Sequence, residues 1–384
     1  LPELRTAPAA APAAPGPATP GPEAPGADVA ARTEAALRGL ATPGDAQAVW
    51  RALGGHGLLR DLAPAGLPGL LGTLDAHCPV GVVLSVCVQV ASALPVLREQ
   101  VDAGPEDGPV RAAYLDAVAG RATLALAATD RDGAGSDLME LGTTVRIDDR
   151  SLVLDGGKRW ITNARTAAYA LVLARHRPQR HFTSFVWVLV PTDAPGVRVS
   201  ATRGTPLSGA GLGDLHFDQV RLDRSYLVGR PGRGMVSFAR HIATERFAGG
   251  VWAAAMCRRV LAETHRRLVA RPLGAGRAWD NPAVRERFAR CVVEAWRIEA
   301  ACDAHRASTE PLVTSMLLKV SVAQGLDVVL GECAALLGAE AYAEGGLAQL
   351  RAAAGMFATA GGATGAMLAG IAEHVPDLLR DRPW

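Results

Sequence analysis

The sequence predicts a mainly α fold with a β domain in the middle: an N-terminal helical domain, a central antiparallel β domain and a C-terminal four-helix bundle. Three observations carry this. Apolar residues recur three and four apart over 29–125, the period changes to short alternating or β-branched runs over 126–230, and long helical patterns return over 231–384. No segment repeats at a fixed spacing, which excludes a solenoid.

Residues 1–28 hold eight of the 25 prolines and no continuous apolar stretch that would serve a signal peptide, so they read as a disordered Ala/Pro-rich leader. The helical domain follows, with patterns such as "DVAARTEAALRGL" and "DAQAVWRALGGHGLL". Within it, Val80–Leu97 carries no formal charge over 18 residues, the lower edge of a membrane span. Gln89 and Pro95 inside that run, and no Lys or Arg at its start, favour a buried helix and no membrane.

The β domain is announced by "LVLDGGKRWIT", "YALVLARH", "SFVWVLVP", "GVRVSAT" and "GDLHFDQVRL", separated by Gly, Pro and Asp turns. Beyond Gly229 four helical patterns complete the chain, and Asn281 followed by Pro282 reads as a helix start.

Lys plus Arg number 40 against 38 Asp plus Glu, a formal charge of +2 with no basic block, which argues against a nucleic-acid or anionic-membrane partner. The six cysteines are scattered without paired or metal-ligand spacing, so they read as small core residues of a cytoplasmic protein with no metal site.

Three stretches carry chemistry. "ATDRDGAGSD", Ala128 to Asp137, is a glycine-rich turn whose backbone N–H groups suit an anionic or heteroaromatic ligand, although most such turns are only turns. "DGGKRWITNA", Asp155 to Ala164, sets Trp160 between basic and hydroxyl-bearing neighbours, where composition alone suggests strand filling. "HIATERFAGG", His241 to Gly250, puts Glu245 and Arg246 among small residues that let a flat group approach the helix backbone; the plain alternative is a solvated helix face.

Taken together, "AGSD", then "GKRWITN", then "LHFDQVRL" and a C-terminal bundle resemble the acyl-CoA dehydrogenase family, from about Val29 to the chain end. The resemblance implies FAD as cofactor and oxidation of the α–β bond of an acyl thioester carried on CoA or an acyl carrier protein, in a homodimer or homotetramer. By position, Trp160, Ile161 and Thr162 would meet the isoalloxazine, with Thr162 near N5. Gly135 and Ser136 would lie by the flavin or the thioester end of the substrate, Thr129 would face the pyrimidine edge, and Arg271 would reach FAD phosphate.

The family's usual base, a Glu near the C-terminus, is replaced by Gly361, followed by Gly362 and Ala363. Isovaleryl- and long-chain-type members carry the base instead just before an arginine on the first bundle helix, which here points to Glu245, with Arg246 beside the flavin or substrate. Gly361 would keep a backbone N–H for the thioester oxygen. Gly274 and Ala275, Ala335, Gly338 to Ala341, and Arg351 to Ala354 depart from the family's cross-subunit FAD contacts, and the alanine-rich tone resembles members from specialised metabolism. The competing readings are a flavin-dependent monooxygenase on the same scaffold and a catalytically silent structural partner.

Overall fold

A computed structural model of the chain describes residues 25–41, 43–101, 107–131, 138–202 and 206–381. The N-terminal part is helical: α1 (Pro25–Arg38), α2 (Ala46–Gly55), α3 (Leu67–His77), α4 (Val80–Val88), α5 (Leu94–Val101) and α6 (Pro109–Val118). Helix α1 starts at Pro25, inside the stretch read as leader; proline suits a first helical position, and Asp28 lies in the first turn, where the helix dipole favours an acid. Asp45 caps α2, accepting from the Gln47 N–H at 2.9 Å.

Helices α4 and α5 are joined by a five-residue π turn, Gln89–Ala93. Pro95 follows directly and has no N–H to offer the carbonyl four residues back, which gives the interruption a local cause. The run is long and apolar enough to cross a membrane, but 83% of its most apolar window is buried inside the protein, so it is a core element, as the sequence indicates.

The middle of the chain forms one eight-stranded sheet. Its strands are β1 (Leu124–Ala127), β2 (Thr144–Ile147), β3 (Ser151–Ile161), β4 (Tyr169–Arg175), β5 (Phe185–Pro191), β6 (Val197–Ala201), β7 (Gly213–Asp223) and β8 (Leu227–Val228). The order is β6-β7-β3-β2-β4-β5-β8, with β1 also on β4. The expectation of an antiparallel domain needs correction: β1 and β2 both pair with β4 in parallel. The chain between β1 and β4 runs through β2 and β3, long enough for the return that parallel pairing needs. As a result β1 and β2 lie end to end along one edge of β4, meeting it at Tyr169–Val172 and at Arg175.

The C-terminal part packs three long helices, α7 (Gly234–Ala270), α8 (Pro282–Ala307) and α9 (Pro311–Leu337). The fourth predicted helix is the short α11 (Thr364–Glu373), lying on α9; α10 (Leu347–Ala354) and α12 (Val375–Asp381) complete the unit. Asn281 caps α8 as predicted, accepting from the Ala283 N–H at 2.9 Å. Gly250 serves packing rather than ligand approach, since a Cβ there would come within 2.9 Å of Cys302 Sγ and 3.2 Å of the Leu318 methyls.

Buried polar groups tie the parts together. The Trp252 indole N–H donates to Asp75 Oδ1 at 3.0 Å, and Arg259 Nε reaches Asp75 Oδ2 at 2.7 Å, joining α3 to α7. Asn163, at φ 67°, donates to the carbonyls of Ser85 and Leu124 at 3.1 Å each and accepts from Ser85 Oγ at 2.6 Å. Asparagine tolerates the left-handed region, so the chain can turn sharply after β3 and lock that turn onto α4.

Candidate active site

Where α4, the end of β3, α7, α9 and the segment 356–362 converge, they line a partly open cavity of about 250 Å³. Its wall is mostly apolar, from Leu84, Cys87 and Val88 on α4 to Phe238, Ile242 and Trp252 on α7. The polar groups in it are few: Thr129, Thr162, Glu245, Arg246 and Lys319.

Glu245 is half-buried on α7. Ser92 Oγ, from the π turn, donates to Glu245 Oε2 at 2.6 Å. The other oxygen, Oε1, faces Gly361: a Cβ at that position would lie 3.4 Å away. Gly361 has φ +70° and Gly362 φ +108°, backbone that glycine adopts without strain, so the segment can run close past α7.

Two cations sit beside this carboxylate. Arg246 is buried; its Nε donates to Gly361 O at 3.0 Å and its Nη1 to Ser315 Oγ at 3.1 Å. Burial pulls its basicity down and the Glu245 charge opposes this. The Lys319 ammonium, from α9, donates to the Phe357 carbonyl. Burial lowers Lys319 to about 8, offset in part by Glu245 and reinforced by Arg246. Burial, aided by the Glu245 charge, raises the Cys87 thiol far enough to keep it protonated and inert.

At the other end of the cavity, β3 breaks register with β7 between Lys158 and Ile161. Trp160 stands at φ 59° and is 54% exposed, so it is not strand filling; the Trp160 backbone N–H donates to Asp214 Oδ1 at 3.1 Å, and the Arg159 guanidinium lies 5.4 Å from the indole ring centre. Lys158, fully buried, donates to Ala128 O at 3.0 Å and pairs with Asp130. Asp130 also accepts from the N–H groups of Gly142 and Thr143 at 2.5 and 2.8 Å and from Thr143 Oγ1 at 2.9 Å. This node pins both ends of the turn that opens at Thr129, itself paired to Arg159 N–H through its carbonyl at 3.1 Å.

Of the sequence-predicted residues, Glu245, Arg246, Gly361, Thr129, Trp160, Ile161 and Thr162 all line this one cavity. Gly135 and Ser136 lie outside the described residues. Arg271 is not in the cavity wall: it caps α9, donating to Leu336 O and Leu337 O at 3.0 and 2.7 Å, with Glu340 at 3.2 Å. Carbonyls at a helix C-terminus attract a cation, which accounts for its placement. Sequence reasoning passed over Ser92, Lys319 and the Lys158–Asp130 pair.

Comparison with known proteins identifies the family and the fold. Residues 125–220 match the family model for the acyl-CoA dehydrogenase middle domain, and 232–375 that for the acyl-CoA dehydrogenase C-terminal domain. The acyl-CoA dehydrogenase IpdE1 of Mycobacterium tuberculosis is 32% identical over 161 residues, 41% of this chain and 40% of that protein. The acyl-[acyl-carrier-protein] dehydrogenase MbtN of Mycobacterium bovis is 28% identical over 235 residues, 59% of each. The matched segment thus spans 40 to 59% of the length of these curated relatives. Among solved structures, that of the prolyl acyl carrier protein oxidase AnaB superposes with a TM-score of 0.83 over 92% of this chain and 100% of that one, at 16% identity, a likeness of fold.

Proposed function

The chain belongs to the acyl-CoA dehydrogenase family, and on that premise we propose that it desaturates an acyl thioester between its α and β carbons, with FAD as cofactor and Glu245 as base. The observation that carries this reading is the Glu245 carboxylate itself, held inside the one cavity that also contains Trp160, Thr162 and Gly361.

The ring end of FAD fits the residues present. Trp160 offers a half-exposed indole in a strained backbone beside Ile161 and Thr162, a costly arrangement that only a partner for that face rewards. The phosphate end fits less well, because Arg271 is already engaged by two carbonyls and Glu340. When bound, the flavin supplies the acceptor for the β-hydride.

This chain's own residues do the rest. Glu245 Oε1, the oxygen not held by Ser92, takes the α-proton as general base. The Gly361 N–H donates to the thioester oxygen as charge develops there. Arg246 fixes the Gly361 carbonyl, and Lys319 fixes that of Phe357, so this donor segment is held from two sides. The apolar wall from α4 and α7 offers water few partners beside these groups, and a bound substrate would shield them further, which strengthens each of these interactions.

A monooxygenase on the same scaffold has no use for an α-proton base, so the placement of Glu245 favours the dehydrogenase. Anaerobic bleaching of bound flavin across a panel of short and medium acyl thioesters, on CoA and on a carrier protein, tests the reading and separates the carriers. Failure of every thioester to bleach, with oxygen uptake and a hydroxylated product instead, would overturn it.

A further inference from the structure

We propose that Ser92 is a positioning residue for the base: its hydroxyl clamps one oxygen of the Glu245 carboxylate and leaves the other aimed at the substrate. The inference rests on Glu245 being the base and goes beyond it, to how a carboxylate on a helix acquires one orientation.

The clamp comes from an unusual backbone. Ser92 is 2% exposed and sits in the π turn Gln89–Ala93, between α4 and α5. One extra residue per turn rotates the chain relative to a regular helix, and such turns concentrate at functional sites. The three buried polar residues of the run have different targets. Ser85 goes to Asn163, Gln89 accepts from the Leu124 N–H at 2.8 Å, and Ser92 goes to Glu245 at 2.6 Å. The first two join α4 to the sheet, whereas Ser92 reaches across to α7 and touches only the acid.

A free glutamate on a helix samples several rotamers, and its two oxygens are equivalent. Here Oε2 accepts the Ser92 proton, and Oε1 is left facing Gly361, the assigned thioester-oxygen donor. Other charged or titratable groups around the carboxylate are Cys87 from α4, Arg246 from α7 and Lys319 from α9. The thiol stays neutral, and the two cations keep their charge through the acidic and neutral range, so none of them titrates where a carboxylate does.

The test compares Ser92→Ala and Ser92→Thr with wild type by anaerobic flavin reduction, with thioester affinity measured alongside. Ser92→Ala should fall about tenfold in the reduction rate, the scale of one hydrogen bond to a charged group, with thioester affinity unchanged. Ser92→Thr, which restores the hydroxyl, should recover the rate. A merely structural serine would lower affinity and stability along with the rate. A Ser92→Ala protein with wild-type rate, measured while Glu245→Gln is inactive, overturns the Ser92 assignment and leaves the base intact. An active Glu245→Gln overturns the base and the clamp with it.

Discussion

Glu245 and Gly361, 116 positions apart in the chain, meet across the cavity: a methyl group on Gly361 would stand 3.4 Å from Glu245 Oε1. The proposed base and the position where the family's usual acid would stand are therefore neighbours in space, one holding a carboxylate and the other only backbone. Replacing Glu245 by Gln keeps the shape and removes the base. The expected result is a loss of at least about 10²-fold in flavin reduction with FAD still bound; turnover within a few-fold of wild type refutes the assignment.

Gly361→Glu adds a second carboxylate where the first already sits. The left-handed backbone there disfavours any side chain by about 1–2 kcal/mol, and the new group would also crowd Glu245, Arg246 and Lys319. Thermal unfolding should shift downward and flavin reduction should slow. A variant as stable and as fast as wild type would show that this segment does not run against α7.

Two buried lysines make stability depend on pH in a stated direction. Lys158 and Lys319 are both lowered from 10.5 to about 8, chiefly by burial. Between those values the unfolded chain holds protons that the folded chain has released, so their contribution to stability rises with pH across roughly 8 to 10.5 and is flat below it. Chemical denaturation of wild type and Lys319→Met over this window should show the wild-type advantage growing with pH. A constant difference contradicts the burial of Lys319.

Trp160→Gly separates binding from stability. Glycine adopts φ 59° freely, so the FAD-free protein should gain about 1 kcal/mol or hold its own, although a large aromatic residue is lost. FAD affinity, read by fluorescence titration, should weaken about tenfold, as for one lost stacking face. Equal affinity would mean that the indole does not meet the flavin.

Helices and strands were legible because burial periodicity is local: α2, α8 and the runs at β4 and β5 follow from spacing and caps alone. The parallel placement of β1 and β2 was not, since it depends on which edge of β4 is left vacant after β5 has paired with the other. Glu245 was found through its neighbour Arg246 and through the missing acid at Gly361. Ser92 gave no signal, because a serine in an apolar helix usually satisfies itself on the preceding turn, and here it lies in a π turn and reaches α7 instead. The bonds of Arg271 to the α9 carbonyls gave no signal either, as a basic residue at a helix end is drawn by the nearest exposed carbonyls.

The end-to-end seating of β1 and β2 on β4 has a practical corollary. Whatever joins them leaves and rejoins the sheet at two fixed anchor points, Ala127 against Val172 and Thr144 against Arg175. A change in the length of that connection need not slide either strand along β4, provided Thr129, which lines the cavity, and Asp130, which pairs with Lys158, are kept.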